Sequence, residues 1–497
     1  MAGVLKNIDN MWRKIMAVDI VKKVVAEFIG TLLLILTVGC NLQAIRQEDS
    51  GGSGVFAALS IGSILMIMIY ALGPISGAHF NPAVTISCLL SGKIDVANAI
   101  QYILSQLVAG VVGSLSFYAL YGDGIPFGPS PRQLAMFKWY HVLTVELLFT
   151  FMLCFVVLNT ACIKKDNQYF GLAIGFVIVA GGNAGGWISG GAFNPAVSIG
   201  LDISDFSASG FGWSLQYAIA QVCGSALAAF LFYVVRPEEF GIEVSSTSYR
   251  AWTSRLTCEF VGTFMLVLTV GLNVLQSQVD ASDPLNEAAV FGIAATLMCM
   301  IYAVGPVSGG HLNPAVTTAI LASGRGMLSW TEYALYILTQ MVGGVCGATM
   351  YSWLCEWRTF GLGPYGTFSW RGVAASEIIY TFVLTFVVLT TATVKKNSHT
   401  QDLFALCIGF SVVAGGYSVG PVSGAAFNPA VAIGIDASNA LVRGSLWKFV
   451  PYMLLEMFAG VIAAQFFRVT HVDEYEEYSG EKYGRQSSDG VEGTEMR

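Results

Sequence analysis

Charge is what this sequence has least of. Lys and Arg (25) with Asp and Glu (32) make up 11% of its 497 residues, where a soluble domain carries about 25%. Hydrophobic residues make up 55%, and the mean hydropathy is +0.64. That balance excludes an ordinary soluble protein and points to an integral membrane chain embedded in a lipid bilayer. The net charge of −7 carries little meaning, because much of the acid lies near the C-terminal end. The ten cysteines show no metal-site or disulfide spacing, and most lie in apolar runs, as packing residues do. No ATP-binding loop, catalytic nucleophile or cluster of metal ligands stands out. No enzymatic activity, cofactor, metal or nucleic-acid partner is therefore expected. Nor is a cleavable leader expected: the first apolar run, 24–44, is too long, and no small-residue cleavage pattern follows it.

What is present is a nonapeptide that occurs four times. It reads SGAHFNPAV at 76–84, SGGAFNPAV at 189–197, SGGHLNPAV at 308–316 and SGAAFNPAV at 423–431. Small residues at its start let the backbone turn or pack closely. Asn is a good helix N-cap, and Pro suits the first helical position, where its missing N–H is no loss. The apolar run that follows is about ten residues, too short to cross a bilayer, which takes about 20. Each copy therefore predicts a re-entrant half-helix that starts at membrane depth.

Twelve long apolar runs surround these boxes, six on each side of a polar linker. The expected division is a basic arm (1–23), a first unit (24–235), a linker (236–252), a second unit (253–468) and an acidic, disordered tail (469–497). The units repeat at about 232 residues: Glu27 returns as Glu259, Asn81 as Asn313, Glu146 as Glu377, and Asn194 as Asn428. Within each unit Glu27 and Asn81 are echoed by Glu146 and Asn194. An odd number of crossings separates these inner repeats, so they are inverted in the membrane. An even number separates the units, which share one orientation. The fold class predicted is an all-α membrane protein with twelve transmembrane helices and four half-helices. Lys and Arg concentrate in the loops shared with both termini and the linker, which places those in the cytoplasm.

Two inverted half-helices in one unit bring their N-termini together. Each carries about half a positive charge from the helix dipole. The pair repels cations and protons, while Asn side chains donate to a passing oxygen. Glu27, Glu146, Glu259 and Glu377 lie inside apolar runs and are expected to face inward. They form either a proton relay or a set of acceptors for backbone N–H groups of the broken helices. Their recurrence without titrating partners favours acceptors. His79 and His311 read as structural, and His399 as a solvated loop residue. Glu456 stands where Gln221 would recur, which makes the units unequal. Tyr475 and Tyr478 carry only a weak signal for modification.

The boxes and the two glutamates of each unit resemble the aquaporin (major intrinsic protein) family over nearly the whole chain. Members of that family are usually single six-helix units that assemble as tetramers. The resemblance here is to two such units in tandem, so two chains, as a homodimer, would give four pores. It implies Asn-Pro-Ala constrictions at Asn81, Pro82, Ala83, Asn194, Pro195 and Ala196, and at Asn313, Pro314, Ala315, Asn428, Pro429 and Ala430. The family's outer filter maps onto Ile61, Gly182, Gly191 and Val197 in the first unit. In the second it maps onto Ile293, Gly416, Ala425 and Val431. The usual filter Arg is replaced by Val197 and Val431, leaving an apolar, wider filter without a fixed charge. The function implied is a passive channel for water and small uncharged solutes such as urea, glycerol, ammonia or hydrogen peroxide. Ser198 and Ala432 stand where glycerol-conducting relatives carry Asp, which argues against a dedicated glycerol channel. Two rival readings are a non-conducting structural or adhesion protein on the same fold, and an ion channel.

Overall fold

The structure is a computed structural model that describes residues 19–47, 54–125, 127–165, 167–205, 212–279, 287–394 and 402–475. It is all helical, with no strand among the described residues. The first series is α1 (Asp19–Gln47), α2 (Ala57–Ser76), α3 (Pro82–Leu90), α4 (Val96–Tyr121), α5 (Pro131–Met136), α6 (Trp139–Thr160), α7 (Phe170–Ser189), α8 (Pro195–Ser204) and α9 (Trp213–Val235). The second is α10 (Tyr249–Val279), α11 (Ala289–Ser308), α12 (Pro314–Ala322), α13 (Trp330–Leu354), α14 (Trp370–Ala392), α15 (Phe404–Ser423), α16 (Pro429–Arg443) and α17 (Phe449–Thr470). Twelve of these are long and apolar enough to span a membrane, six in each series. The chain is thus a multi-pass integral membrane protein. The short helices α3, α8, α12 and α16 begin at the four boxes.

Some boundaries differ from the sequence expectation. Helix α1 is described from Asp19, and Asp19 and Lys23 pair one turn apart at its start. Helix α16 has 15 residues where its three counterparts have nine or ten. The stretch after Asp436 holds no breaker until Gly444, which takes a left-handed φ of 75° and ends the helix. The expectations for 1–18, for the loop around His399 and for the tail from 476, including Tyr478, lie outside the described residues.

Close backbone packing seats the half-helices. A Cβ on Gly110 of α4 would lie 2.7 Å from the carbonyl oxygen of Ala196. One on Gly344 of α13 would lie 2.2 Å from that of Ala430. Only glycine lets the box approach these helices so closely.

The two series meet along α6 and α7 of the first and α10 and α11 of the second. Tyr169 stacks on Tyr302 with ring centroids 4.2 Å apart, and Phe176 lies 5.9 Å from Phe291. Cys299 Sγ donates to the carbonyl of Ala173 at 3.1 Å. At one end of this seam His141 packs edge-on against Trp353 at 4.6 Å. The apolar windows of α6 and α10 are each 83% buried, whereas that of α2 is 22% buried. The windows of α2 and, at 33% each, of α13, α15 and α17 are the least buried.

Candidate functional site

Each box starts its half-helix in the same way. Asn81, Asn194, Asn313 and Asn428 are extended N-cap residues whose Oδ1 accepts from the backbone N–H two residues on, at 2.8–2.9 Å. Pro82, Pro195, Pro314 and Pro429 occupy the first helical position. Ala83, Ala196, Ala315 and Ala430 supply the capped N–H and are fully buried. The residue before each Asn (Phe80, Phe193, Leu312 or Phe427) is left-handed, with φ between 49° and 52°. This strained backbone is held by what it binds.

The boxes of a unit clasp one another. Asn81 Nδ2 donates to the carbonyl of Phe193, and Asn194 Nδ2 to that of Phe80, both at 2.9 Å. Asn313 to Phe427 and Asn428 to Leu312 repeat the pattern at 2.9 Å. An Asn amide has two N–H groups and one acceptor oxygen. The acceptor caps the helix and one N–H makes the clasp, which leaves one N–H on each Asn. All four Asn side chains line a cavity. In the first unit it measures about 280 Å³, and in the second about 380 Å³.

Behind each box stands a fully buried glutamate. Glu27 Oε1 accepts from Ser76 Oγ at 2.6 Å and from the N–H of His79 at 3.0 Å. Its Oε2 accepts from the N–H of Phe80 at 2.7 Å and from Gln106 Nε2 at 2.9 Å. Glu146 binds Ser189, Ala192, Phe193 and Gln221 in the same way. Glu259 binds Ser308, His311, Leu312 and Gln340. A carboxylate is an acceptor with room for about four donors, and these three are filled. The fourth site is built differently. Glu377 accepts from the N–H groups of Ala426 and Phe427, but no Gln faces it. Glu456 takes that place, and its Oε1 accepts from the N–H of Asn428 at 3.0 Å. Its side chain lies against that of Glu377, and both are fully buried. The second oxygen of Glu456 has no hydrogen-bond partner among the described residues, and two carboxyl groups buried side by side favour a single negative charge on the pair. The hydroxyl that each Gln meets elsewhere, on Thr85, Ser198 or Thr317, is missing here, because Ala432 stands in its place.

One further fourfold element has no counterpart in the sequence reading. Tyr102, Tyr217, Tyr336 and Tyr452 donate their hydroxyls to the carbonyls of Ser76, Ser189, Ser308 and Ser423 at 2.5–2.8 Å. Each lies four residues before the Gln or Glu just described, on the same helix face. A Tyr-x-x-x-Gln or Tyr-x-x-x-Glu pattern, read at the repeat spacing, carries the signal.

The eight remaining predicted positions fall in two groups. Ile61, Gly182, Gly191 and Val197 line the first cavity, and Ile293, Gly416, Ala425 and Val431 the second. Neither set contains an aromatic, but the loops supply Phe80 and Phe127 to the first cavity and Phe360, Tyr365 and Phe427 to the second. The Tyr365 ring packs beside Gly424, and its hydroxyl donates to Gly361 O at 2.6 Å. His79 and His311 line the cavities too, each with Nδ1 at 3.2 Å from a Thr hydroxyl of the half-helix. No cluster of His, Cys, Asp or Glu suited to a metal occurs among the described residues.

A family model described as Major intrinsic protein matches residues 14–231 and 246–467, with a further match over 187–285. A "Probable aquaporin NIP-type" of Nicotiana alata is 32% identical over 229 residues, 44% of this chain and 79% of that protein. A "Glycerol uptake facilitator protein-like 6" of Lactiplantibacillus plantarum is 35% identical over 233 residues, 44% of this chain and 100% of that protein. Among solved structures, that of the aquaglyceroporin from Plasmodium falciparum aligns at 22% identity and a TM-score of 0.39, covering 45% of this chain and 100% of its own. The chain belongs to the major intrinsic protein family, whose pattern it carries twice in tandem.

Proposed function

We propose that this chain is a passive channel for water and small uncharged solutes, with one pore through each unit. The observation that carries the proposal is the clasp of paired Asn side chains at each cavity. Their oxygens and one N–H apiece are used in holding two helix starts together, so the remaining N–H groups are fixed donors. A neutral molecule with a lone pair can exchange its hydrogen bonds for these. A cation meets two helix N-termini, each with about half a positive charge, and loses hydration without gaining acceptors. A proton relay through water is opposed by the same field.

Ile61, Gly182, Gly191 and Val197, with Ile293, Gly416, Ala425 and Val431, are assigned as the outer filters. Without Arg they are apolar and open, which suits urea, glycerol, ammonia and hydrogen peroxide as well as water. The buried glutamates act as acceptors for the box backbone, a role supported by their filled hydrogen bonds. We place both termini and the linker on the cytoplasmic side. A homodimer with four pores is supported by the uncovered faces. Phe410, the counterpart of Phe176, is 45% exposed, and Ile67, the counterpart of Cys299, is 48% exposed. A second chain placed there would repeat the seam already present within one chain.

The test is light scattering from proteoliposomes after osmotic steps of sucrose, urea and glycerol. Shrinkage in sucrose faster than in empty vesicles, abolished by the double variant Asn194→Asp and Asn428→Asp, is expected. Rapid re-swelling in urea is also expected. Traces equal to those of empty vesicles, from correctly inserted protein, would favour a non-conducting scaffold.

A further inference from the structure

The end of half-helix α3 farthest from its box holds a contact that the second unit lacks. Cys88, a fully buried residue in the last turn, has its Sγ 3.7 Å from Cys162 Sγ in the segment after α6. Cys162 is only half-buried. The same corner holds Lys93, whose Nζ is 2.8 Å from Glu239 Oε2. Glu239 Oε1 accepts from the N–H of Lys164 at 3.0 Å, so one carboxylate ties both sides of the corner together. In the second unit Ile320 and Thr393 stand at the positions of Cys88 and Cys162. There Arg325 replaces Lys93 and donates to the carbonyl of Thr393 at 2.9 Å. The chain thus closes one corner with hydrogen bonds and an Arg325–Glu474 ion pair at 3.7 Å, and sets two thiols in contact in the other. Sequence spacing hides this pair, since 74 positions separate its members.

The chemistry of the two thiols differs in a useful way. The hydrogen bond from Cys88 and the nearby Lys93 ammonium hold the Cys162 thiol below the ordinary range. Cys162 is also the less buried residue of the two. A disulfide needs the sulfurs about 2 Å apart, and side-chain rotation can supply the remaining approach.

We propose that Cys88 and Cys162 are a redox-active thiol pair, which hydrogen peroxide converts to an intramolecular disulfide that pins the α6–α7 segment to half-helix α3. The Cys162 thiolate attacks one peroxide oxygen. The O–O bond breaks, a sulfenic acid forms, and the leaving hydroxide takes a proton to become water. The Cys88 sulfur then attacks the sulfenic sulfur. The S–S bond forms as the S–O bond breaks, and the Cys88 proton leaves with the hydroxyl as a second water. The two sulfurs lose two electrons and the peroxide gains them. A dithiol reductant reverses the step by exchange.

The full chain in detergent is treated with hydrogen peroxide, alkylated with N-ethylmaleimide and digested without reductant. Mass spectrometry is expected to find one peptide pair joined through Cys88 and Cys162, lost after dithiothreitol. Trypsin cleavage at the exposed Lys164 and Lys165 is expected to slow severalfold in the oxidised wild type and to stay unchanged in peroxide-treated Cys88→Ser. Wild-type protein whose two thiols both remain alkylated after peroxide would overturn the proposal. So would a link made through Cys154 instead, or a Cys88–Cys162 link that leaves trypsin cleavage unchanged.

Discussion

The supports of the two units agree at three glutamates and part company at the fourth. Around Glu146 a Gln and a Ser complete the shell; around Glu377 a second acid and an Ala do. The substitution is coordinated, because Ala432 removes the hydroxyl that only a Gln could use fully. A buried carboxylate needs donors, and a protonated second carboxyl is the group that can supply one here. The same box can therefore be held by a network that keeps its hydrogens at all times or by one that exchanges a proton. The second is the more adaptable of the two, since Glu456 can donate or accept.

That difference predicts unequal responses to the same change. Glu146→Gln turns a filled acceptor into a group whose own N–H atoms face Gln221 and Phe193, and it should cost about 3 kcal/mol of stability. Glu377→Gln should cost clearly less, because Glu456 can give up its proton and accept from the new amide. Thermal unfolding midpoints of the two variants in one detergent make the comparison, and equal losses would show that the fourth site has no such freedom. The two proposed pores are separated by placing a cation at the assigned filters. Val197→Arg and Val431→Arg together should lower urea permeability by about tenfold, a barrier change of about 1.4 kcal/mol, with water flow largely kept. Each single variant then reports the share carried by its own pore. Removing the difference is the third step: Glu456→Gln should raise stability by about 1 kcal/mol, and a fall would mean that the protonated carboxyl is the better donor.

The smallest effect is expected at the corners beyond the half-helices. Glu239→Gln should cost at most about 1 kcal/mol, since its partner Lys93 is partly exposed. Glu474→Gln, which weakens the Glu474 contact with Arg325, should cost less, because Arg325 keeps its bonds to Thr393. Burial alone would raise the pKa of Glu239, but the bonds from Lys93 and the Lys164 N–H prevail and hold it below the usual carboxylate range. Its contribution is present above the unfolded-state value and is lost as pH falls through the folded one. Wild type and Glu239→Gln should therefore converge in unfolding midpoint as the medium is acidified.

The fold was legible in the sequence because its signals are local. A half-helix needs its cap, its Pro and its short apolar run within a dozen residues, and all four copies carry them. The glutamates stood out because charge inside an apolar run is costly. The Asn clasps did not, since whether Asn81 reaches Phe193 depends on how two inverted segments dock. The four Tyr hydroxyls were missed for a related reason: a Tyr in a membrane helix is unremarkable until its carbonyl partner is known. Phe127 and Tyr365 lie in loops of different length, where the repeat offers no register. Glu456 was visible as a departure, but its contact with Glu377 was not.

The seam joining α7 to α11 has one more consequence. Its two sides sit on one polypeptide, so their effective concentration is fixed by the linker and does not fall on dilution. In the proposed homodimer the matching seam between chains has no such tether. Detergent or dilution should open the second kind first and release intact single chains. The internal surfaces around Tyr169 and Tyr302 and the external ones around Ile67 and Phe410 are then free to diverge under mutation. A ring of identical subunits has no such liberty, because every change appears at all of its joints at once.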